Sequence, residues 1–228
     1  MANNAPAQRK NIITIDGPAG AGKSTVSREL AARLGYIYLD TGSLYRALAY
    51  KALREKIPVD NELAVAALCA HTEIYLKNSA GKMKVYVDGQ DVAELIRTEE
   101  VGNAASKISA YNAVRQYLLH LQRQAAAEGG LVAEGRDMGS VVFPAADFKF
   151  YLDASSEERA KRRVRELKAR GASVRHQAIQ EKMSERDRQD SQRQHSPLTV
   201  PRGATIIDST NLSVAQVVEE ILRYILSK

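Results

Sequence analysis

The chain of 228 residues contains a single cysteine, so it cannot form an internal disulfide. Cys69 lies within Leu63-Ala-Val-Ala-Ala-Leu-Cys-Ala70 and reads as a small buried apolar residue with no chemistry of its own. That stretch is also the longest apolar run, far short of the roughly 20 residues that cross a bilayer. The first ten residues, Met1 to Lys10, are small and polar and lack an apolar stretch of signal-peptide length. The cytoplasm is therefore the expected home, with no membrane contact. The four histidines, His71, His120, His176 and His195, lack metal-ligand spacing. No catalytic triad is recognisable, and the guanine-recognition signature N-K-x-D is absent, which disfavours a GTPase. There is no internal repeat and no low-complexity segment.

What the chain does have is organised around Gly17-Pro18-Ala19-Gly20-Ala21-Gly22-Lys23-Ser24, which fits G-x-x-x-x-G-K-[ST] at every fixed position. Ile12 to Ile15 precede it as a short β-branched strand. Thr25 to Leu34 follow as a helix with Val26, Leu30 and Leu34 on one stripe. Strand, glycine loop and helix in that order make a phosphate-binding loop. Backbone N–H groups must converge on the anion, and side chains at Gly17, Gly20 and Gly22 would obstruct them. The helix N-terminus adds its dipole, Lys23 adds a charge that reaches the β and γ phosphates, and Ser24 offers a hydroxyl to Mg²⁺. Residues Gly17 to Thr25 are thus the candidate ATP site. A glycine-rich turn beside a surface lysine is the plainer alternative.

The net charge is +6, with 44% hydrophobic residues, enough for a sizeable core. The charge is concentrated. Between Glu157 and Arg193 stand twelve basic residues (159, 161, 162, 163, 165, 168, 170, 175, 182, 186, 188 and 193) against seven acids. Most are arginines, whose planar fork suits phosphate. At this point the partner is either a polynucleotide or a mononucleotide.

Along the chain, Tyr36–Leu39 predicts a second strand, followed by a turn at Asp40-Thr41-Gly42-Ser43 and a helix from about Leu44 that carries Arg46 in its first turn. Arg46 is either a solvated surface charge, the usual fate of one arginine, or a phosphate contact, the reading favoured by its place just past a strand's carboxyl end. Asp60 is expected to cap a short helix through Ala70. Thr72–Lys77 and Met83–Asp88 alternate with period two around Asn78–Gly81, an antiparallel hairpin read as an inserted subdomain apart from the parallel sheet. Helices follow at about Thr98–Ser109 and Asn112–Glu128. Leu131–Glu134 and Phe148–Leu152 predict two more core strands, entering Gly135-Arg136-Asp137-Met138-Gly139 and Asp153-Ala154. Ser155-x-x-Glu158 is a capping box opening the arginine-rich helix, with a second arm through Arg193. A fifth strand, Ala204–Asp208, precedes a last helix with its own capping box at Ser213-x-x-Gln216 and a stripe of Val214, Val217, Val218, Ile221, Leu222 and Ile225. The class is α/β: a five-stranded parallel sheet flanked by helices, with ligands beyond the strands' carboxyl ends.

These segments together carry a resemblance. Ile15–Thr25, Leu39–Arg46, Ile96–Val101 with Asn103–Ser106, Gly135–Gly139, Leu152–Ser155 and Glu185–Asp190 make the chain similar, over nearly its whole length, to the bacterial cytidylate kinases, members of the P-loop nucleoside monophosphate kinase group. The hairpin near residues 72–92 resembles that family's extra subdomain. The resemblance implies one kinase unit with a core of 11–40, 129–156 and 200–228, an acceptor-binding insertion at 41–128, and a helical lid with its following helix at 157–199. It implies transfer of the γ-phosphoryl group of ATP, with Mg²⁺, to CMP or dCMP. Thr41, Arg46, Arg136 and Arg193 match residues that hold the acceptor phosphate. Arg186 and Asp190 match residues near the ribose, and Ser106, Arg115 and Asp137 match residues around cytosine. Lys23, Arg136, Arg162 and Arg193 are the candidate catalytic charges, with Arg162 in the part that resembles the lid over ATP. Glu134 stands where an aspartate is common, and either carboxylate can hold a Mg²⁺-bound water. The expected partners are small nucleotides, not nucleic acid, and a monomer is expected. A hydrolysing NTPase, a kinase of another small acceptor and an arginine-rich nucleic-acid module are the rivals.

Overall fold

A computed structural model describes residues 10–169 and 171–228. The polar residues before Lys10, and Arg170 among the clustered charges, lie outside the described residues.

β1 (Ile12–Asp16) is followed by α1 (Lys23–Leu34), β2 (Ile37–Asp40) and α2 (Thr41–Arg54). Next come α3 (Glu62–His71), the strands β3 (Ile74–Ser79), β4 (Lys82–Val87) and β5 (Gln90–Asp91), a short turn of helix at Leu95–Arg97, α4 (Glu99–Ile108) and α5 (Asn112–Gln124). The chain then returns through β6 (Leu131–Glu134), a wide helical turn at Met138–Val142, β7 (Phe148–Asp153), α6 (Ser156–Ala169), α7 (His176–Gln192), β8 (Thr205–Asp208) and α8 (Val214–Leu226).

The sheet runs β3-β4-β2-β6-β1-β7-β8, and its five strands from β2 to β8 are parallel, as expected. The expectation of a separate antiparallel piece needs correcting. β4 lies parallel to β2 through one rung, Tyr38 opposite Lys82, so the hairpin continues the main sheet. The rung is short because the hairpin turns in only two residues, Ala80 and Gly81, both with positive φ (50° and 77°). That turn brings the Gly81 carbonyl 2.9 Å from the Tyr38 amide.

Burial follows the two periodicities. Ile13, Ile15, Val132, Phe150, Leu152 and Ile207 form one face of the sheet under α1 and α8, with Val26, Leu30, Val217, Val218 and Ile221 opposite them. Leu39, Leu131 and Ala133 form the other face, against Met138, Val142 and the end of α5. A further cluster joins α2, α3, the hairpin, α4 and α5 through Leu44, Leu48, Val65, Ile74, Val85, Ile108 and Leu118, all shielded from solvent.

Several boundaries move for local reasons. Asp40 itself caps α2, accepting the Ser43 amide at 3.2 Å, so the helix starts at Thr41 and Arg46 sits in its second turn. Asn61, not Asp60, caps α3, while Asp60 pairs with Lys107. The Ser155 box is half made: its hydroxyl accepts the Glu158 amide, but its own amide donates to Thr210 and Glu158 pairs with Arg162 and Arg165. The Ser213–Gln216 box is complete. Val214, on the expected core stripe, is 38% exposed and borders the cleft.

Candidate active site

One cleft of about 1520 Å³ opens along the carboxyl edge of the parallel strands, larger than the ~300–1,000 Å³ usual for a single small ligand. The phosphate loop forms one wall. Its three glycines have different reasons for being glycine. A Cβ on Gly17 would stand 2.0 Å from the Leu152 carbonyl oxygen, and one on Gly20 would meet Met183 Cε at 2.6 Å, so both answer to protein neighbours. Gly22 has room for a Cβ, which would lie in ordinary contact 3.6 Å from the Arg162 guanidinium, but its φ of 95° lies in the region that favours glycine. Lys23 is buried, its ammonium donating to the Pro18 carbonyl at 2.6 Å. Burial, and then the Arg136 charge, pull its pKa down to about 7. Ser24 and Thr25 are exposed to the cleft, and Ala21 is buried.

Arg162 lies against this wall: its guanidinium donates to the carbonyls of Ala21 (3.2 Å) and Ser209 (2.6 Å) and to the Ser209 hydroxyl (3.0 Å). Ala19 is gripped from outside by Asp187 and Arg159, residues that the motif reading missed. So was Asp16, wholly buried at the end of β1, whose two oxygens each accept a backbone amide at 2.7 Å, from Met138 and Gly139. Its position between strand and glycine loop was the available signal. Burial pushes its carboxyl up to about 6 against those two bonds.

The opposite wall gathers the acceptor candidates. Arg136 donates through Nε to Asp190 at 2.9 Å, and Arg193 lies 3.6 Å from the same carboxylate. Burial opposes it, but Arg136, Arg186 and Arg193 hold the Asp190 carboxyl below its usual range. Burial and then Arg136 pull Arg186 down to about 10. Arg115 and Asp137 form a buried ion pair, and Arg115 also donates to the Ser109 carbonyl at 3.0 Å and lies over the Tyr45 ring. Thr41 donates to the Glu134 carbonyl at 2.7 Å, tying the acceptor wall to β6. Arg46, half-buried, stands 3.7 Å from Asp40, and Ser106 lines the cleft from α4. The structure thus brings every predicted residue except Gly17 and Pro18 to the lining of one cleft. Among the described residues, the buried nitrogens Arg115 Nε, Arg186 Nε and Arg193 Nη2 have no hydrogen-bond partner. Donors left over at that density suit an anion.

Glu134 sits between the walls at the end of β6, buried, accepting from the Tyr38 hydroxyl at 2.5 Å. Burial and the nearby Asp40 raise its pKa, while Lys23, Tyr38 and the Ser24 hydroxyl oppose that rise. One hydroxyl and one carboxylate, both oxygen donors, fit Mg²⁺, which takes few protein ligands and completes its shell with water and phosphate. No cluster of three His, Cys, Asp or Glu side chains suited to a metal occurs among the described residues.

A phosphate loop on a parallel sheet, faced across one cleft by arginines with spare donors, defines a P-loop kinase. The profile of the cytidylate kinase family matches residues 13–227, and the chain belongs to that family. It is 48% identical over 215 residues to a cytidylate kinase of Desulfitobacterium hafniense, covering 94% of this chain and 92% of that one. It is 49% identical over 208 residues to a cytidylate kinase of Citrifermentans bemidjiense, covering 91% and 89%. The fold is similar to that of a solved, uncharacterised protein from Eubacterium ventriosum, with a TM-score of 0.54 at 14% identity, covering 96% of this chain and all of that one.

Proposed function

We propose that the protein transfers the γ-phosphoryl group of ATP to CMP or dCMP, giving CDP or dCDP and ADP, within pyrimidine nucleotide metabolism. One observation carries the reading: the phosphate loop and Arg115, Arg186 and Arg193, each with a buried nitrogen that makes no hydrogen bond, line a single cleft. Membership of the family and the relatives' names supply the acceptor.

Gly17 to Thr25 take the ATP phosphates, with Lys23 and Arg162 beside them. Burial disfavours the Lys23 charge, Glu134, Asp187 and Asp16 offset part of that, and the polyphosphate would add further negative charge beside it. Thr41, Arg46, Arg136 and Arg193 take the acceptor phosphate, Arg186 and Asp190 the ribose, and Ser106, Arg115 and Asp137 the base. No general base is required, because a phosphate monoester with a second pKa of about 6 is mostly a dianion at neutral pH. The residues therefore align two anions and neutralise them, which accounts for the many arginines. Ser24 directly, and Glu134 through water, would hold Mg²⁺, which when bound draws charge from the transferring group.

The core at 11–40, 129–156 and 200–228, the insertion at 41–128 and the lid with its helix at 157–199 divide this labour. The separate apolar cluster inside 41–128 supports that division. Small nucleotides rather than nucleic acid are the partners: Arg159, Arg162, Arg163, Arg165 and Arg188 are matched by acids, which breaks up any continuous basic stripe. The described residues include no helix long and apolar enough to cross a membrane. The proposed enzyme is cytoplasmic and acts as a monomer.

Incubation with MgATP and each nucleoside monophosphate, with ADP measured, tests the reading. CMP and dCMP should support turnover, UMP less, AMP and GMP little. ADP released without any acceptor would make the protein a hydrolase instead.

A further inference from the structure

Asp187 has no place in the contacts proposed above, yet it is well placed to act. Its carboxylate accepts the Ala19 amide at 3.0 Å and pairs with the Arg159 guanidinium from α6. The same guanidinium donates to the Ala19 carbonyl at 3.0 Å and, through Nε, to the Ala154 carbonyl at 3.0 Å. One acid and one base, from the two lid helices, therefore hold both polar groups of one loop residue. Their side chains are only 12% and 15% exposed. Met183, one turn before Asp187 on α7, presses on Gly20 beside it. Contacts from α6 and α7 thus fall on the rim of the loop, at residues 19 and 20.

We propose that the Arg159–Asp187 pair is a positioning device that sets the phosphate loop in its binding shape and links that shape to the seating of the lid helices. The proposal rests on the reading of the loop as the ATP site. Convergent N–H dipoles repel one another, so the loop needs fixing from outside before an anion arrives, and fixing it beforehand lowers the entropy cost of binding. Asp187 satisfies the Ala19 amide. Arg159 cancels the carboxylate's charge, which would otherwise repel a triphosphate. Each member needs the other, so the two act as one unit.

The test is calorimetric titration of a non-hydrolysable ATP analogue with Mg²⁺, and separately of CMP, into wild type, Asp187→Ala, Arg159→Ala, the double variant and Asp187→Asn. Each alanine variant should weaken analogue binding ~10-fold, the loss expected for a charge-assisted contact. The double variant should be no weaker than the worse single one, and CMP affinity should stay within about threefold. Asp187→Asn should recover part of the loss, since its Oδ1 still accepts the Ala19 amide. Analogue affinity within about twofold of wild type in both single variants, or losses that multiply in the double variant, overturns the proposal. An equal loss for CMP, marking general damage, overturns it too. If the alanine variants do not fold, Asp187→Asn and Arg159→Lys carry the same comparison. Wild type that binds CMP but not the analogue would refute the ATP site itself, and the pair's role with it.

Discussion

Arg115 and Asp137 meet as an ion pair at the floor of the acceptor wall, their side chains 7% and 4% exposed. The guanidinium occupies one carboxylate oxygen; the other stands 3.9 Å from Arg193. Both oxygens of Asp137 thus face neighbours that can only donate, so in the proposed base site it offers acceptors alone. That polarity matches the amino group of cytosine and opposes the carbonyl at the same position of uracil.

Asp137→Asn should narrow the gap between CMP and UMP, because the amide offers a donor where only an acceptor stood. It should also lower stability, since Arg115 loses its counter-charge in a buried place, where breaking a pair costs ~3–5 kcal/mol at the upper end. The ratio of kcat/KM for the two nucleotides and the Tm of the variant are the measurements. An unchanged ratio would mean that base choice is made elsewhere.

Lys23→Ala should leave the fold intact and reduce kcat by about 10²–10³, the loss seen when one preorganised charge or donor is taken from a transition state. The only hydrogen bond it gives up is to the Pro18 carbonyl. Wild-type turnover in a folded variant would remove the phosphate loop from the mechanism.

Asp16 yields a pH prediction with a definite sign. Its carboxyl rises from 3.8 to about 6 on folding, so between those values the native protein holds a proton that the unfolded chain has released. The group's stabilising contribution is complete below pH 3.8 and is lost as pH rises through 6, by roughly 3 kcal/mol at most. Asp16→Asn removes that slope. Denaturant unfolding at pH 4, 5 and 7 should find the stability difference shifting toward the variant as pH rises, and a shift toward wild type would contradict it.

Ser213→Ala dismantles the complete capping box of α8, a helix whose Val217, Val218 and Ile221 are buried in the core. The cost should be about 1 kcal/mol, a Tm lower by roughly 2–4 °C. CMP affinity should not move; Ser213 also lines the cleft, so ATP affinity reads whether its side chain serves more than the helix end. A calorimetric scan with and without nucleotide checks both.

Much of this was legible in the sequence because period and punctuation are local. The glycine loop, the five parallel strands and the Ser213 box needed only neighbouring residues to declare themselves. Glu134 was legible as a strand-end carboxylate, but not the Tyr38 hydroxyl that holds it, which lies 96 residues away. Asp187 and Arg159 escaped for the same reason: their partner is the backbone of Ala19, a residue whose methyl side chain suggests no polar contact. The junction of hairpin and sheet depended on one rung, which no alternation pattern specifies. Asp60 and Asn61 show a smaller failure: two adjacent residues could each cap α3, and the one aligned with the third amide along took the role.

The rung between Tyr38 and Lys82 also bears on how copies of the molecule meet. An open parallel sheet would offer β2 as a bare edge. The hairpin covers it and moves the edge outward to β3, where Lys77, Asn78 and Ser79 are all exposed. At the far side β8 stays open and carries the exposed Ile206, but it is four residues long, follows Pro201 and ends in the carboxylate of Asp208. Short, charged and polar edges discourage strand-to-strand stacking between molecules. The hairpin whose residues Lys82 to Val85 line one side of the cleft thus also shields the sheet from aggregation.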